Sequence, residues 1–278
     1  MRPIWLIEAG VYVAEVTPLL AEIRRQGMSA ELMAYKALQN GAAPIVDGAP
    51  IDNRACVIGY GTFSFAREIQ LHRKWVPGAW CTQENLDCAA YYARFGRFLL
   101  NQQYVILPGV EAIRQADWLF RVFGSDCGEL FIRPTGCQKL FVGRCVSQED
   151  FRHALSPALY DPQTLIVIAP VRQIHREWRL IVIGDRVISG SQYAEDGVRC
   201  IRRELPDEVQ ECAVHMLTEV RWRPDPVFML DIGECEDRLW LIEINGFSCS
   251  WLYQCDLPAV VSEVSQLAAQ TWEQAATR

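Results

Sequence analysis

Three oxygen-bearing side chains fall within one predicted β-hairpin near the carboxyl end of the chain. Apolar runs at residues 227–232 and 239–244 flank a polar segment that suits a hairpin turn. Strand alternation then places Glu243 and Asn245 on the same face. A hairpin of this length brings Asp231 to a position diagonally opposite Glu243 on that face. Two carboxylates and one side-chain carbonyl are therefore predicted to converge between apolar neighbours.

Carboxylates in such a setting repel each other and lose hydration, so they need a cation or a proton between them. Hard oxygen ligands of this kind suit Mg²⁺, which usually also takes phosphate oxygens and keeps some of its waters. The alternative is an edge hairpin whose acidic side chains are simply solvated. The hairpin alone does not choose between these two interpretations.

Two basic residues upstream flank a glycine-containing turn. Residues 130–133 are predicted to form a strand that ends at Pro134, and residues 139–142 are predicted to form the next strand. Arg133 and Lys139 then lie on the two sides of the turn. Such a pair suits the phosphates of a nucleotide, because Arg offers a planar fork and Lys a point charge. Two solvated basic residues on a surface hairpin are the alternative.

A third set of charges lies on a clean strand pattern. Residues 177–183 alternate so that Glu177 and Arg179 share one face beside apolar neighbours. An acid and a base so placed either line a cleft together or neutralise each other structurally. Both interpretations remain open at this point.

Several predicted elements would position these groups. Residues 1–80 mix short strands and helices in the pattern of a small α/β domain. One helix is predicted over residues 82–95 with Thr82 as its cap, and a second over residues 206–220. A closing helix over residues 257–271 is expected to cover the hairpin.

Composition narrows the class of protein. The chain has 278 residues and a formal net charge of −7, which argues against a general nucleic-acid binder. It contains no apolar run of the ~20 residues needed to span a bilayer. The 11 cysteines form no CxxC pair and the 4 histidines lack ligand spacing, so we expect reduced thiols in a cytoplasmic protein. The oligomeric state is not readable from the sequence.

Taken in order, these patterns resemble the ATP-grasp superfamily, and within it the R2K clade of phage and bacterial proteins. The order is a basic strand pair, an apolar strand that ends in a hinge, an E-x-R strand, a helix, and D…E-x-N on a hairpin. The residues that carry the resemblance are Phe131 to Pro134, Lys139 to Gly143, Glu177 to Arg179, Ser191 to Tyr193, Met229 to Ile232 and Leu241 to Gly246.

The resemblance implies an ATP-grasp fold of mixed α+β and α/β character, in which two α+β subdomains grip ATP. A small N-terminal α/β domain at residues 1–80 precedes an ATP-grasp domain at residues 81–278. In that domain, residues 115–193 form the first nucleotide-gripping part and residues 194–278 the metal-site part.

The resemblance also implies roles for single residues. Arg133 and Lys139 contact the phosphates of ATP, although many ATP-grasp enzymes have Lys where Arg133 stands. Arg179 acts with Lys139 as a catalytic group that steadies the transferring phosphoryl group, and Glu177 lines the nucleotide cleft. Asp231, Glu243 and Asn245 hold one or two Mg²⁺ ions, with Mn²⁺ as an alternative metal. The hinge beside the adenine consists of Ile168, Ala169, Pro170 and Val171.

The activity so implied is the ligation of a carboxylate to an amine, through an acyl phosphate made with ATP. Both substrates, small molecules or peptides, stay unidentified. The alternatives are an ATP-binding regulatory or interaction protein without catalysis, and a phosphotransferase that uses the same site.

Overall fold

The computed structural model describes residues 2–46, 48–126, 128–138, 140–156 and 159–277. The first part of the chain is a parallel α/β unit. Its elements are β1 (Ile4–Glu8), α1 (Val13–Arg25), β2 (Ser29–Met33), α2 (Tyr35–Gln39), β3 (Ile45–Val46), β4 (Ala49–Pro50), β5 (Cys56–Tyr60), α3 (Phe63–His72) and β6 (Val76–Gly78). The main sheet has the order β2-β1-β5-β6, and every residue of β5 is buried, as expected of a parallel strand covered on both faces.

The middle of the chain forms an antiparallel sheet of order β7-β10-β8-β9. Its elements are α4 (Gln83–Leu86), α5 (Cys88–Phe95), β7 (Val105–Pro108), α6 (Gly109–Arg114), α7 (Ala116–Phe123), β8 (Glu129–Pro134), β9 (Arg144–Ser147), α8 (Gln148–Ala154) and β10 (Leu165–Pro170). Helices α6, α7 and α8 bury their apolar sides against this sheet in a hydrophobic cluster of their own. This part of the molecule therefore has a separate small core.

Two predictions for this region are wrong. The single helix expected over residues 82–95 is two helices, because Asp87 adopts an extended conformation and its side chain caps the second one at the amide of Ala89. The Thr82 side chain makes no cap and instead donates to Asp225 at 2.6 Å. The strand expected at residues 139–142 is absent from the described residues 140–142, and β9 is the strand that pairs with β8.

The last part of the chain forms a five-stranded antiparallel sheet of order β13-β12-β11-β14-β15. Its elements are β11 (Arg176–Ile183), β12 (Arg186–Glu195), β13 (Val198–Arg202), α9 (Asp207–Glu219), β14 (Val227–Cys235), β15 (Arg238–Gly246) and α10 (Leu257–Ala276). Strands β14 and β15 are the hairpin predicted from the sequence, and α10 is the predicted closing helix.

The parallel and five-stranded sheets are joined by shared cores. One hydrophobic cluster combines residues of β1 and α1 with residues of β11, β14 and α10. The Trp5 indole of β1 also donates to the Ser265 hydroxyl of α10 at 3.0 Å. A cleft remains between this joined body and the antiparallel sheet that contains β8, and the predicted site residues Arg133, Glu177 and Glu243 line it. No helix among the described residues is long and apolar enough to cross a membrane.

Candidate nucleotide and metal site

The β14–β15 ladder sets the relation between the two predicted metal-binding carboxylates. The turn residues Glu236 and Asp237 both have positive φ, which is typical of a tight two-residue hairpin. If the strand pairing next to this turn continued without interruption, Asp231 would lie opposite Ile242. A β-bulge next to Asp231 shifts the register by one residue, so Asp231 directly opposes Glu243 rather than lying diagonally to it as predicted. The bulge thus places the two residues directly opposite each other on adjacent strands.

Asp231 is held by an arginine of the neighbouring strand. Arg179 of β11 pairs with Asp231 in register and donates to both of its oxygens, from Nε at 2.8 Å and from Nη2 at 2.7 Å. The Asn245 amide donates to the same carboxylate at 3.0 Å. Asp231 is 1% exposed and Arg179 is 6% exposed. Burial favours the neutral guanidinium, but the Asp231 carboxylate offsets this and raises the pKa of Arg179 well above its usual value.

The Arg179 guanidinium also lies beside a stacked pair of tyrosine rings. The guanidinium carbon Cζ is 5.7 Å from the centre of the Tyr193 ring and 5.2 Å from the centre of the Tyr253 ring. The two rings stack on each other with their centres 5.2 Å apart. Nη1 donates to the carbonyl of Trp251 at 3.3 Å. These contacts fix the orientation of Arg179 beneath the loop that follows β15. The sequence had left open whether Glu177 and Arg179 neutralise each other, and the structure pairs Arg179 with Asp231 instead.

Glu243 has its own arginine, from the opposite side of the cleft. Nη2 of Arg133 in β8 lies 2.5 Å from Oε1 of Glu243 in β15, and the two side chains are 12% and 14% exposed. This ion pair joins residues 110 positions apart in the chain and links the antiparallel sheet to the five-stranded sheet. Burial opposes the charge on Arg133, while the nearby Tyr91 and Glu243 raise its pKa well above the usual value.

The donor set fits a hard divalent cation that also binds other ligands. Asp231 and Glu243 supply carboxylates, and Asn245 supplies a side-chain carbonyl oxygen because its nitrogen is already used towards Asp231. The described residues contain no cluster of three or more His, Cys, Asp or Glu side chains arranged for a metal. Such a partial set suits Mg²⁺, which commonly completes its shell with water and phosphate oxygens.

A cavity of about 520 Å³ opens in the cleft above these residues. Arg133 and Glu243 lie on its wall, as do Phe131, Phe141, Ile242 and the backbone of Gly143. Glu177 also faces it and accepts a hydrogen bond from the Tyr193 hydroxyl at 2.6 Å. Burial raises the pKa of the Glu177 carboxyl, partly opposed by that hydrogen bond. The volume and the mixture of apolar and polar walls are those of a small-molecule site.

The remaining predicted residues are placed as follows. Ile168 and Ala169 are fully buried in β10, Pro170 ends that strand, and Val171 follows it. From the segment that follows the strand, Arg172 and Ile174 are the residues that line the cavity. Lys139 lies outside the described residues.

Sequence reasoning missed several residues at this site, among them Arg172, Ile174, Tyr193 and Tyr253. Arg172 and Ile174 stand just past the predicted hinge in a segment without a strand or helix pattern. Tyr193 lies at a β-bulge of β12, between the partners of Glu177 and Trp178, and alternation alone does not predict its contact with Glu177. Tyr253 lies in an irregular segment with a positive φ of 52°, and no periodicity pointed to it.

Comparison with known proteins shows which family and which fold this chain resembles. A family model described as "ATP-grasp domain, R2K clade family 3" matches residues 100–264. No curated protein sequence matches the chain.

Three solved structures illustrate the likeness in fold. The ATP-grasp ligase PsnB complexed with a minimal precursor has a TM-score of 0.59 at 14% identity, covering 95% of this chain and 98% of the other. D-cycloserine synthetase DcsG has a TM-score of 0.62 at 14% identity, covering 96% and 99%. D-alanine–D-alanine ligase from Bacillus anthracis has a TM-score of 0.59 at 11% identity, covering 99% and 98%. At these identities the likeness establishes the fold, and the ATP-grasp fold predicted from the sequence is confirmed.

Proposed function

We propose that this chain, which belongs to family 3 of the R2K clade of ATP-grasp domains, is an ATP- and Mg²⁺-dependent ligase that joins a carboxylate to an amine. The observation that carries the proposal is the meeting of Arg133 and Glu243 at the wall of the 520 Å³ cavity, next to the Asp231–Asn245 pair. This arrangement offers cationic and metal-binding groups to the phosphates of one nucleotide.

The proposed ligation has two steps, and the charged groups of the site would assist both. The donor carboxylate attacks the γ-phosphorus of ATP, so a C–O–P bond forms and ADP leaves. An amine nitrogen then attacks the acyl carbon, phosphate leaves with the C–O bonding electrons, and the nitrogen releases a proton to solvent. Bound Mg²⁺ would supply charge neutralisation on the phosphates. Positioning and charge matter more in this chemistry than an acid–base pair, and the site is accordingly rich in fixed charges.

The Arg133–Glu243 ion pair suggests how nucleotide and metal binding are coupled. Both side chains are largely buried, so a ligand that draws Arg133 away removes a positive charge from beside the Glu243 carboxylate. Phosphate oxygens are a partner for Arg133, and a metal ion is a partner for Glu243. We therefore expect the nucleotide and the metal to bind as a unit.

Several role assignments belong to the proposal. Arg179, locked to Asp231, holds the metal-binding carboxylate in place and presents positive charge near the reacting phosphoryl group. Lys139 is proposed as a second phosphate contact. The adenine is proposed to lie against the end of β10, where Arg172 and Ile174 join the wall. The related ligase PsnB has been solved with Mg and ADP, at 13% identity to this chain and a TM-score of 0.57.

The test is product formation with a matched pair of variants. The protein is incubated with ATP, Mg²⁺ and mixtures of amino acids, peptides and polyamines, and both ADP release and amide products are measured. Glu243→Gln is expected to lower ADP release by about 100-fold, the usual loss when a charge-stabilising group is removed. Glu234→Gln is the control, because Glu234 lies on the same hairpin but pairs with Arg176 at 2.6 Å.

Two results would contradict a ligase. Release of ADP with a phosphorylated product and no amide would make the protein a phosphotransferase. Binding of Mg-ATP without ADP release for any mixture would make it a nucleotide-binding regulatory protein.

A further inference from the structure

A second cavity of about 460 Å³ lies between the parallel α/β unit and the loop that connects β8 to β9. Tyr35, Thr62, Ser64, Arg67 and Leu71 line it on one side, and Gln138 and Leu140 line it on the other. Its volume is within the range of small-molecule sites, about 300 to 1,000 Å³. The residues of the nucleotide and metal site do not line this second cavity.

This cavity shares a wall with the nucleotide cavity. Gln138 and Leu140 of the β8–β9 loop face the second cavity, while Phe141 and Gly143 of the same loop face the first. One loop therefore contributes residues to both cavities. The second cavity is where an acceptor that must reach the activated carboxylate is expected to wait.

Among the described residues that line the second cavity, the positive charge belongs to Arg67. Arg67 is exposed, and within the described part of the chain it makes no ion pair or hydrogen bond. Glu68 lies on the same wall, and its carboxylate is 3.9 Å from the His72 ring. In an acidic chain, a guanidinium left unpaired at a cavity is suited to a ligand carboxylate, which it can bind with two parallel hydrogen bonds.

The start of α3 also faces this cavity, but two backbone amides there already have acceptors. The amide of Thr62 already donates to the Glu8 carboxylate at 2.6 Å, and the Thr62 hydroxyl caps the helix at the amide of Phe65. The anion site is thus defined by Arg67 rather than by the helix end. The Ser64 hydroxyl is an additional polar group on the same wall.

The apolar part of the lining indicates the rest of the ligand. Leu71 is 62% exposed and Leu140 is 51% exposed, and each contributes to the wall from a different side of the cavity. Tyr35 and Phe63 add aromatic surface. Exposed leucines at a concave surface lose unfavourable contact with water when an apolar group covers them.

We infer that this cavity is the acceptor subsite of the proposed ligase, and that it takes an apolar α-amino acid or peptide whose carboxylate is bound by Arg67. Binding of the carboxylate at Arg67 is independent of the proposed function. Only the role of the bound molecule as the acceptor rests on that function. The bound molecule keeps its amine free, so that the nitrogen attacks the acyl phosphate and phosphate departs as described above. The carboxylate at Arg67 undergoes no chemistry.

The experiment measures binding in the presence of saturating ADP and Mg²⁺, by saturation-transfer NMR and calorimetry. The probes are L-leucine and glycyl-L-leucine, each compared with its carboxamide. The variants are Arg67→Met and Arg67→Lys. The control is Arg114→Met, at an exposed arginine that pairs with Glu111 on α6. ATP turnover is recorded for the same proteins and probes.

We expect at least one carboxylate probe to bind the wild type about tenfold more tightly than its carboxamide, the scale of one charge-assisted contact. Arg67→Met should abolish that preference, Arg67→Lys should keep part of it, and Arg114→Met should keep all of it. Stronger binding of leucine indicates a free amino acid, and stronger binding of the dipeptide indicates a peptide end.

A wild type that shows no preference for either carboxylate, whether it binds the probes or not, overturns the inference. So does an Arg67→Met protein that retains the preference. The two proposals fail separately: carboxylate binding at Arg67 without ADP release contradicts the ligase alone. Turnover with an unchanged KM in Arg67→Met contradicts the subsite alone.

Discussion

At the level of single residues, the site is built from two arginine–carboxylate pairs of different character. The Arg179–Asp231 pair is buried within one sheet and held by two hydrogen bonds, by Asn245 and by tyrosine rings. The Arg133–Glu243 pair bridges two sheets through one short contact at the cavity wall. The first pair is therefore structural in the absence of ligand, while the second is positioned to exchange partners.

The buried pair leads to a prediction about stability. Arg179→Met leaves Asp231 as an unpaired buried charge, which costs about 3 to 5 kcal/mol. Arg179→Met combined with Asp231→Asn removes both charges and should recover most of that loss. Urea unfolding of wild type, both single variants and the double variant forms a cycle that isolates the interaction. An Arg179→Met protein within about 1 kcal/mol of wild type would show that the pair is not desolvated as described.

A second residue-level prediction concerns pH. Asp225 is 8% exposed and accepts hydrogen bonds from the Thr82 amide and hydroxyl, and burial raises its pKa to about 6. Because the folded pKa lies above the unfolded value, this group's contribution to stability is present below the unfolded pKa and is lost as pH rises through about 6. Asp225→Asn keeps an acceptor for the amide and removes the charge.

We therefore expect Asp225→Asn to be more stable than wild type at pH 7.5, by about 2 kcal/mol. The difference should shrink as pH falls and vanish near pH 4. Unfolding of both proteins across this range checks the sign. Asp225→Ala, which loses both hydrogen bonds, is the control for the contacts themselves. A difference that grows towards low pH would contradict a raised pKa.

At the level of elements, prediction from sequence succeeded where one periodicity was unbroken. The β14–β15 hairpin, β11 and the closing helix α10 all follow clear apolar patterns, and each is observed. The direct opposition of Asp231 and Glu243 was not predictable, because alternation says nothing about a bulge. Val142 and Phe141 looked like strand residues, but Phe141 packs into the core of the middle sheet while Val142 is 78% exposed in a loop.

The helix predicted over residues 82–95 failed for a tertiary reason. Asp87 accepts from the Ala89 amide at 2.8 Å and from the Thr135 hydroxyl at 3.0 Å, and the Cys88 amide donates to the Thr135 carbonyl. Thr135 follows β8 directly, so this contact between distant segments interrupts the helix where local propensity would have continued it.

This break is testable. Asp87→Ala removes the cap of α5 and the partner of Thr135, and we expect it to lower the free energy of unfolding by about 1 to 2 kcal/mol. Asp87→Asn keeps a capping oxygen and should lose much less. Thermal and urea unfolding of the two variants provide the measurement. Equal losses in both would mean that charge, rather than the cap, matters at this position.

At the level of the whole molecule, the cleft lies beside a middle sheet that contributes to two different hydrophobic clusters. Ile166 and Ile168 of β10 pack in a cluster with α6, α7 and α8, whereas Val167 belongs to a cluster with the parallel unit and the five-stranded sheet. Those two sheets also share a further cluster through α1 and α10. Sequence patterns indicated both kinds of sheet but not this sharing, since it depends on contacts between residues such as Trp5 and Ser265 that are far apart in the chain. The boundary predicted at residue 80 stays a prediction.

The Arg133–Glu243 pair spans that cleft, and the proposed coupling of nucleotide binding to metal binding can be measured through it. If phosphate oxygens bind Arg133, a positive charge moves away from Glu243 and a cation is favoured there, so nucleotide binding should depend on Mg²⁺ through Glu243. The direct measurement is calorimetric titration of ADP into wild type, Glu243→Gln and Glu234→Gln, each with Mg²⁺ and with EDTA. We predict that Mg²⁺ strengthens ADP binding by at least about tenfold in wild type and Glu234→Gln, and has little effect in Glu243→Gln. Equal ADP binding with Mg²⁺ and EDTA in the wild type, or a full Mg²⁺ effect in Glu243→Gln, would show that Glu243 does not couple metal binding to nucleotide binding.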